Sequence, residues 1–195
     1  MFNVLLERLP KYWHGYRIDT DFRTGIQIMQ CLSDEEFSED ERIRHSLSML
    51  FIEEKPDIEE ALEGLAWYMS EFNHDNHTAK KQADNIRSYD FDIDQWRIYS
   101  AFKKQYAIDL NTAKMHWFVF MGLLSNLEEC AFTRVVDIRL RKIDPKAGQK
   151  EKKALKEAKQ IYQLEDADAH LTPEEKQAQQ KQLEIFNNFM NAGKE

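Results

Sequence analysis

Between Met115 and Leu124 the chain reads Met-His-Trp-Phe-Val-Phe-Met-Gly-Leu-Leu. Wound as a helix, this run puts bulky apolar groups on every side and leaves no face for water. Such a helix has to lie at the centre of a fold, enclosed by elements that each lend it one apolar face. It is well short of the about 18 apolar residues that a membrane span needs, and no other stretch reaches that length. The rest of the sequence is therefore expected to supply amphipathic helices.

It does so in order. Asp19 or Thr20 can cap a helix carrying Phe22, Ile26, Met29 and Leu32 on one face, with Ser33 and Asp34 as its end. Ser38 and Glu41 have capping-box spacing before Ile43, Leu47, Leu50 and Phe51. Lys55-Pro56-Asp57 is a break and a new start, followed by Ile58, Ala61, Leu62, Leu65, Ala66, Met69 and Phe72 at helical spacing. Residues 73–87 are polar and read as a long loop or a weak helix. From Asp92 the pattern resumes with Ile93, Trp96, Tyr99, Phe102 and Tyr106 along one side. Asn111 or Thr112 is the expected cap of the central apolar helix. Ser125 or Asn126 is the expected start of the next, with Val135, Val136, Ile138 and Leu140.

Ahead of these helices, Pro10 rules out helix and Tyr12-Trp13-His14-Gly15-Tyr16-Arg17-Ile18 reads as a small hairpin turning at His14-Gly15. Composition shifts at Asp144-Pro145, after which apolar residues thin out. Lys146, Lys150, Lys152, Lys153, Lys156 and Lys159 form a basic stretch, and Glu165, Asp166 and Asp168 an acidic one. Thr172-Pro173-Glu174-Glu175 then opens a last helix with Leu183, Ile185, Phe186, Phe189 and Met190. The expected architecture is all-α: a multi-helix globular domain over residues 1–145 with a small N-terminal β-hairpin, and a charged, helical C-terminal tail over 146–195.

Several function classes are disfavoured. A net charge of −8 gives phosphate little to bind, so nucleic acid is not the expected partner. Met1 to Arg8 lacks the basic and apolar regions of a secretory leader, so a cytoplasmic protein is expected, with Cys31 and Cys130 as buried free thiols. His74-Asp75-Asn76-His77 places two imidazoles and a carboxylate within reach of one metal, but no further ligand has known spacing, and a polar loop is the simpler reading. His116 has no nucleophile patterned beside it, and a hydrogen-bonded core or edge histidine is preferred to a catalytic base. Arg134, Arg139, Arg141 and Lys142 make one helix basic, which a solvated face explains. No catalytic, cofactor-binding or metal-binding residue is assigned, and no enzyme is expected.

Three blocks carry a resemblance. The first is Leu9-Pro10 followed by Gly15-Tyr16-Arg17-Ile18-Asp19-Thr20-Asp21-Phe22-Arg23. The second is Tyr89-Asp90-Phe91-Asp92 with Ile98-Tyr99-Ser100-Ala101-Phe102 and Tyr106-Ala107-Ile108-Asp109-Leu110. The third is His116 to Leu124 followed by Ile138-Arg139. In that order, over roughly residues 9–145, they resemble the gene-product-fifteen family of proteins from siphophages and prophages of Gram-positive bacteria. Genes of that family typically lie between those of the major tail protein and the tape-measure protein. The resemblance therefore implies a tail assembly chaperone that binds the tape-measure protein, works in the host cytoplasm and leaves the finished virion. An upstream tail chaperone, the tail-tube protein or a second copy of the chain are further partners it implies. A minor tail or connector protein of the virion is the alternative, with a nucleic-acid-binding regulator behind it.

Three groups are candidates for partner binding. Asp19, Asp21 and Arg23 stand at a helix start, where a capping and docking device suffices to account for them. Trp96, Tyr99 and Phe102 form an aromatic face, which core packing also explains. Phe186, Phe189 and Met190 in the tail are costly to leave in water.

Overall fold

The computed structural model describes residues 3–70 and 88–164. The chain divides into two compact units, Met1–Gln163 and Leu164–Glu195. The hairpin stands where the sequence places it, as β1 (Tyr12–Trp13) and β2 (Tyr16–Arg17). Tyr12 pairs with Arg17 and Trp13 with Tyr16. His14 and Gly15 both have left-handed backbones, φ 47° and 96°, which suits a two-residue turn between twisted strands. Two strands alone are marginal in water. The hairpin is held because Trp13 packs against Trp67, with ring centroids 4.9 Å apart.

Beyond the hairpin the backbone is stitched on both sides. Asp19 donates its N–H to Leu50 and Ile52 donates to Arg17, at 2.8 and 3.2 Å. Next, Trp117 donates to Thr20 and Phe22 to Met115, at 2.8 and 3.0 Å. Residues 17–22 thus join two regions far apart in sequence.

Seven helices follow among the described residues: α1 (Phe22–Ser33), α2 (Glu39–Leu50), α3 (Ile58–Ser70), α4 (Gln95–Tyr106), α5 (Trp117–Ser125), α6 (Ala131–Leu140) and α7 (Gln149–Tyr162). Asp21 caps α1 by accepting from the Arg23 N–H. The Ser38–Glu41 capping box starts α2. Asp57 accepts from Glu60 N–H at 3.0 Å to start α3. The described protein is mostly α-helical with one small hairpin.

The central helix is α5. Trp117, Phe118, Phe120, Met121 and Leu124 are buried on it. Phe120 stacks on Phe22 and Phe102, at 4.9 and 5.2 Å between centroids. The Trp117 indole is fully enclosed, and its N–H donates to the Tyr68 carbonyl at 3.1 Å. One face of that indole lies flat on α1 at Gly25. A Cβ there would stand 2.2 Å from two ring carbons.

Three expectations shift. Helix α5 begins at Trp117, with His116 as its cap, because Asn111 and Thr112 are spent in a turn in which Thr112 and Ala113 donate to the Asp109 carbonyl. Helix α6 begins at Ala131, since the side-chain amide of Asn126 bonds back to Gly122 and closes α5 instead. The thiols of Cys31 and Cys130 are free but only half-buried. Helix α7 falls within the unit Met1–Gln163. Phe72, His74 and His77 lie outside the described residues, as does the last helix expected from the sequence.

Gly25→Ala should lower stability by about 1–3 kcal/mol, because the new methyl forces α1 away from a fully buried indole. Urea unfolding followed by tryptophan emission would report it, and an unchanged midpoint would mean the helices have slack that the packing does not show.

Candidate functional site

Helix α4 carries the residues with the clearest outward face. Ile98, Ala101 and Phe102 are buried on its inner side. Phe102 has no exposed surface and sits against Phe120 and Tyr106. The aromatic row expected from the sequence is therefore split: Phe102 belongs to the core, while Ile93 and Trp96 point outward, 52% and 72% exposed. Tyr99 lies between, half-buried, its ring edge-on to Trp96 at 5.9 Å. Its hydroxyl donates to Asp109 at 3.3 Å. Lys103 reaches the same carboxylate at 2.7 Å. That bond holds the Lys103 ammonium above its usual pKa and is the first cause holding Asp109 below its own.

The rotation of α4 has a cause that no local pattern announces. Asp94, just before the helix, is completely buried and meets Arg139 of α6 two-pronged, at 2.6 and 3.2 Å. Arg97 adds a third bond to Asp94 at 2.7 Å, and the Asp90 N–H a fourth at 3.1 Å. Burial pushes the Asp94 carboxyl up, but the bonds from Arg139, Asp90 and Arg97 outweigh it and leave the pKa below the ordinary value. Arg139 also donates to the carbonyls of Ser88 and Tyr162, at 3.2 and 2.6 Å. A side chain read from the sequence as part of a basic solvated face is thus the charged centre of the helix packing.

The other cations of that stretch are mostly engaged. Arg134 pairs with Glu129 at 2.9 Å and Arg141 with Asp137. Lys152 donates to the Pro145 carbonyl, and Lys159 to the Arg139 carbonyl. They are engaged in separate contacts.

Asp19, Asp21 and Arg23 are brought together. Asp19 accepts from the Asp21 N–H and Asp21 from the Arg23 N–H, both at 2.9 Å. The Arg23 guanidinium lies over the Phe22 ring and donates to the carbonyls of Leu110, Asn111 and Ala113 at 2.7 to 3.1 Å. Arg23 thereby fixes the loop that leads into α5. His116 closes the same corner. Its Nδ1 accepts from the Phe118 N–H at 3.1 Å, so the proton sits on Nε2, which donates to the Pro10 carbonyl at 2.9 Å. Burial lowers the His116 pKa, partly opposed by the Pro10 bond. The third group, Phe186, Phe189 and Met190, lies outside the described residues.

Among the described residues no group of three or more His, Cys, Asp and Glu side chains is placed to hold a metal, and no helix is long and apolar enough to cross a membrane. The structure is thus a helical scaffold with an exposed aromatic face braced from below by a buried ion pair. The sequence pattern of the family described as bacteriophage Gp15 protein matches residues 6–164, which takes in every described helix. The chain belongs to this phage family. No curated protein and no solved structure matches it.

Asp94→Ala strips the counter-charge from a buried guanidinium and should cost about 3–5 kcal/mol; a loss under 1 kcal/mol in urea titration would mean that Arg139 finds water.

Half-buried His116 and buried Asp94 predict distinct pH windows. Unfolded chain takes up a proton at His116 near pH 6.5 that folded chain refuses, so stability should begin to fall as pH drops below that value. Asp94 contributes fully above the ordinary carboxylate value of 3.8, and its contribution is lost as pH falls from there through the lower folded value. His116→Asn keeps a capping oxygen and should flatten the upper window alone.

Proposed function

We propose that this chain is a tail assembly chaperone that binds the phage tape-measure protein through an apolar face while the tail tube is built. Membership of a phage family supports the setting. The observation that carries the binding role is Trp96, 72% exposed and edge-on to a Tyr99 that is itself held by Asp109. A large aromatic left in water on a rigid helix is a typical anchor for a partner. A tape-measure protein is a long helical chain that exposes apolar stripes before it is enclosed, and an amphipathic helix seats on such anchors at i, i+3 and i+4 spacing. Ile93, just ahead of α4, and Trp96 and Tyr99 on it follow one another at three-residue intervals, one turn apart. The tail residues Phe186, Phe189 and Met190 are a second candidate contact. The protein acts in the host cytoplasm and leaves before the particle is complete.

The test is co-expression of the full chain with the tape-measure protein of the same phage. A complex should co-elute, and Trp96→Ala should weaken it by about tenfold or more while leaving the unfolding midpoint unchanged. The triple substitution Phe186→Ala, Phe189→Ala, Met190→Ala assigns or dismisses the tail contact. Absence of any complex, with the protein found in purified particles, would overturn the chaperone reading in favour of a structural tail or connector component. Steeply salt-dependent DNA binding would favour a regulator.

A further inference from the structure

Helix α7 is attached in an unusual way. None of its 14 residues is buried. Its half-buried positions, Lys152, Leu155, Ala158, Lys159 and Tyr162, form one stripe at helical spacing, and α6 is the helix it packs on. The firm contacts gather at one end. Lys159 donates to the Arg139 carbonyl in the last turn of α6, and Arg139 donates through Nε to the Tyr162 carbonyl in the last turn of α7, both at 2.6 Å. Arg97 lies over the Tyr162 ring, 5.8 Å from its centroid.

Each helix thus caps the C-terminus of the other with a cation. The carbonyls at a helix C-terminus lack intrahelical partners and carry partial negative charge, so two such ends side by side repel unless cations stand between them. Arg139 and Lys159 fill that role. The other end of α7, about 15 Å of helix from Gln149 to Ala158, has no comparable fastening among the described residues. Lys152 bonds only to Pro145, in the connector leading to α7.

We propose that α7 is a detachable strap, pinned at its C-terminal end by the Arg139–Lys159 clasp, that opens as a unit while the core stays folded. The accounting of bonds supports this. Arg139 meets Asp94 through its two terminal nitrogens and Tyr162 through Nε, so opening vacates Nε and leaves the buried ion pair intact. Phe132 belongs to the main hydrophobic core and seats α6 there, and Val136 packs against the same core. Opening moves no buried side chain of α7 itself. It uncovers the stripe of Leu155, Ala158 and Tyr162, and it makes the docked helix a low-stability segment on a stable base.

Native-state hydrogen exchange of the full chain tests this. Amides from Lys152 to Tyr162 should share one opening rate, at least tenfold faster than amides of α5 and α6, with a urea dependence well below that of global unfolding because opening exposes only the stripe. Lys159→Met removes one clasp bond and should speed α7 exchange about tenfold or more, since a hydrogen bond to a charged group is involved. Lys156→Met, outside the clasp, should leave it unchanged. Exchange of α7 in step with α5 as urea rises would overturn the proposal. So would a gradient of rates fraying from Gln149, or a Lys159→Met variant indistinguishable from wild type.

Discussion

Trp117 needs shelter on every side, and two distant helices, α1 and α3, supply part of it. Gly25 yields the space that a side chain would take, and Tyr68 supplies the acceptor that a buried indole N–H requires. Phe120, one turn along, extends the same stack to Phe22 and Phe102. Because the indole and its hydrogen bond have fixed geometry, α1, α3 and α5 have little freedom to slide. The backbone bonds from Thr20 to Trp117 and from Phe22 to Met115 set the register at which α5 enters. The hairpin, the loop held by Arg23 and the cap at His116 all serve that one entry point. This explains why so many polar side chains between Asp19 and Arg23 are turned on their own backbone.

The second organising contact is electrostatic, and it works differently. Burying Asp94 with Arg139 contributes little net stability compared with an apolar pair of the same size, because both charges lose water. Its effect is on orientation. A two-pronged guanidinium–carboxylate bond accepts one geometry, and it fixes the start of α4 against α6 at a definite rotation. With Asp94 pointing in, Ile98, Ala101 and Phe102 follow it inward, and Trp96 must point out. The exposed tryptophan is thus a consequence of a buried charge two residues away.

Much of this was legible in the sequence because it rests on local chemistry. The His14-Gly15 turn, the Ser38–Glu41 box, the Pro56 break and the all-apolar run each carry their own signal within a few residues. What escaped is what depends on partners far along the chain. Nothing near Arg139 distinguishes it from Arg134 or Arg141, and only Asp94, 45 residues earlier, makes it internal. The same blindness put Phe102 and Trp96 on one face, since 3.6-residue periodicity fixes spacing but not which of two neighbouring stripes is buried. The starts of α5 and α6 were misplaced for a related reason. Asn111, Thr112 and Asn126 have capping side chains, but turns closed by Asp109 and by the end of α5 claimed them first.

The two contacts also divide the molecule by stability. The aromatic stack is deep, apolar and cooperative, so it should open only with the whole fold. The polar node at Arg139 lies at the junction of α4, α6 and α7 and joins them through directed bonds. Directed bonds can be exchanged for water one at a time, whereas interlocked rings cannot part without leaving a void. Elements held by the node alone are therefore the ones able to move while the rings stay packed. Helix α7 has no buried side chain and depends chiefly on that node, whereas Phe102 ties α4 to Phe120. A face on α4 is accordingly rigid, and a rigid aromatic face loses little conformational entropy when a partner covers it.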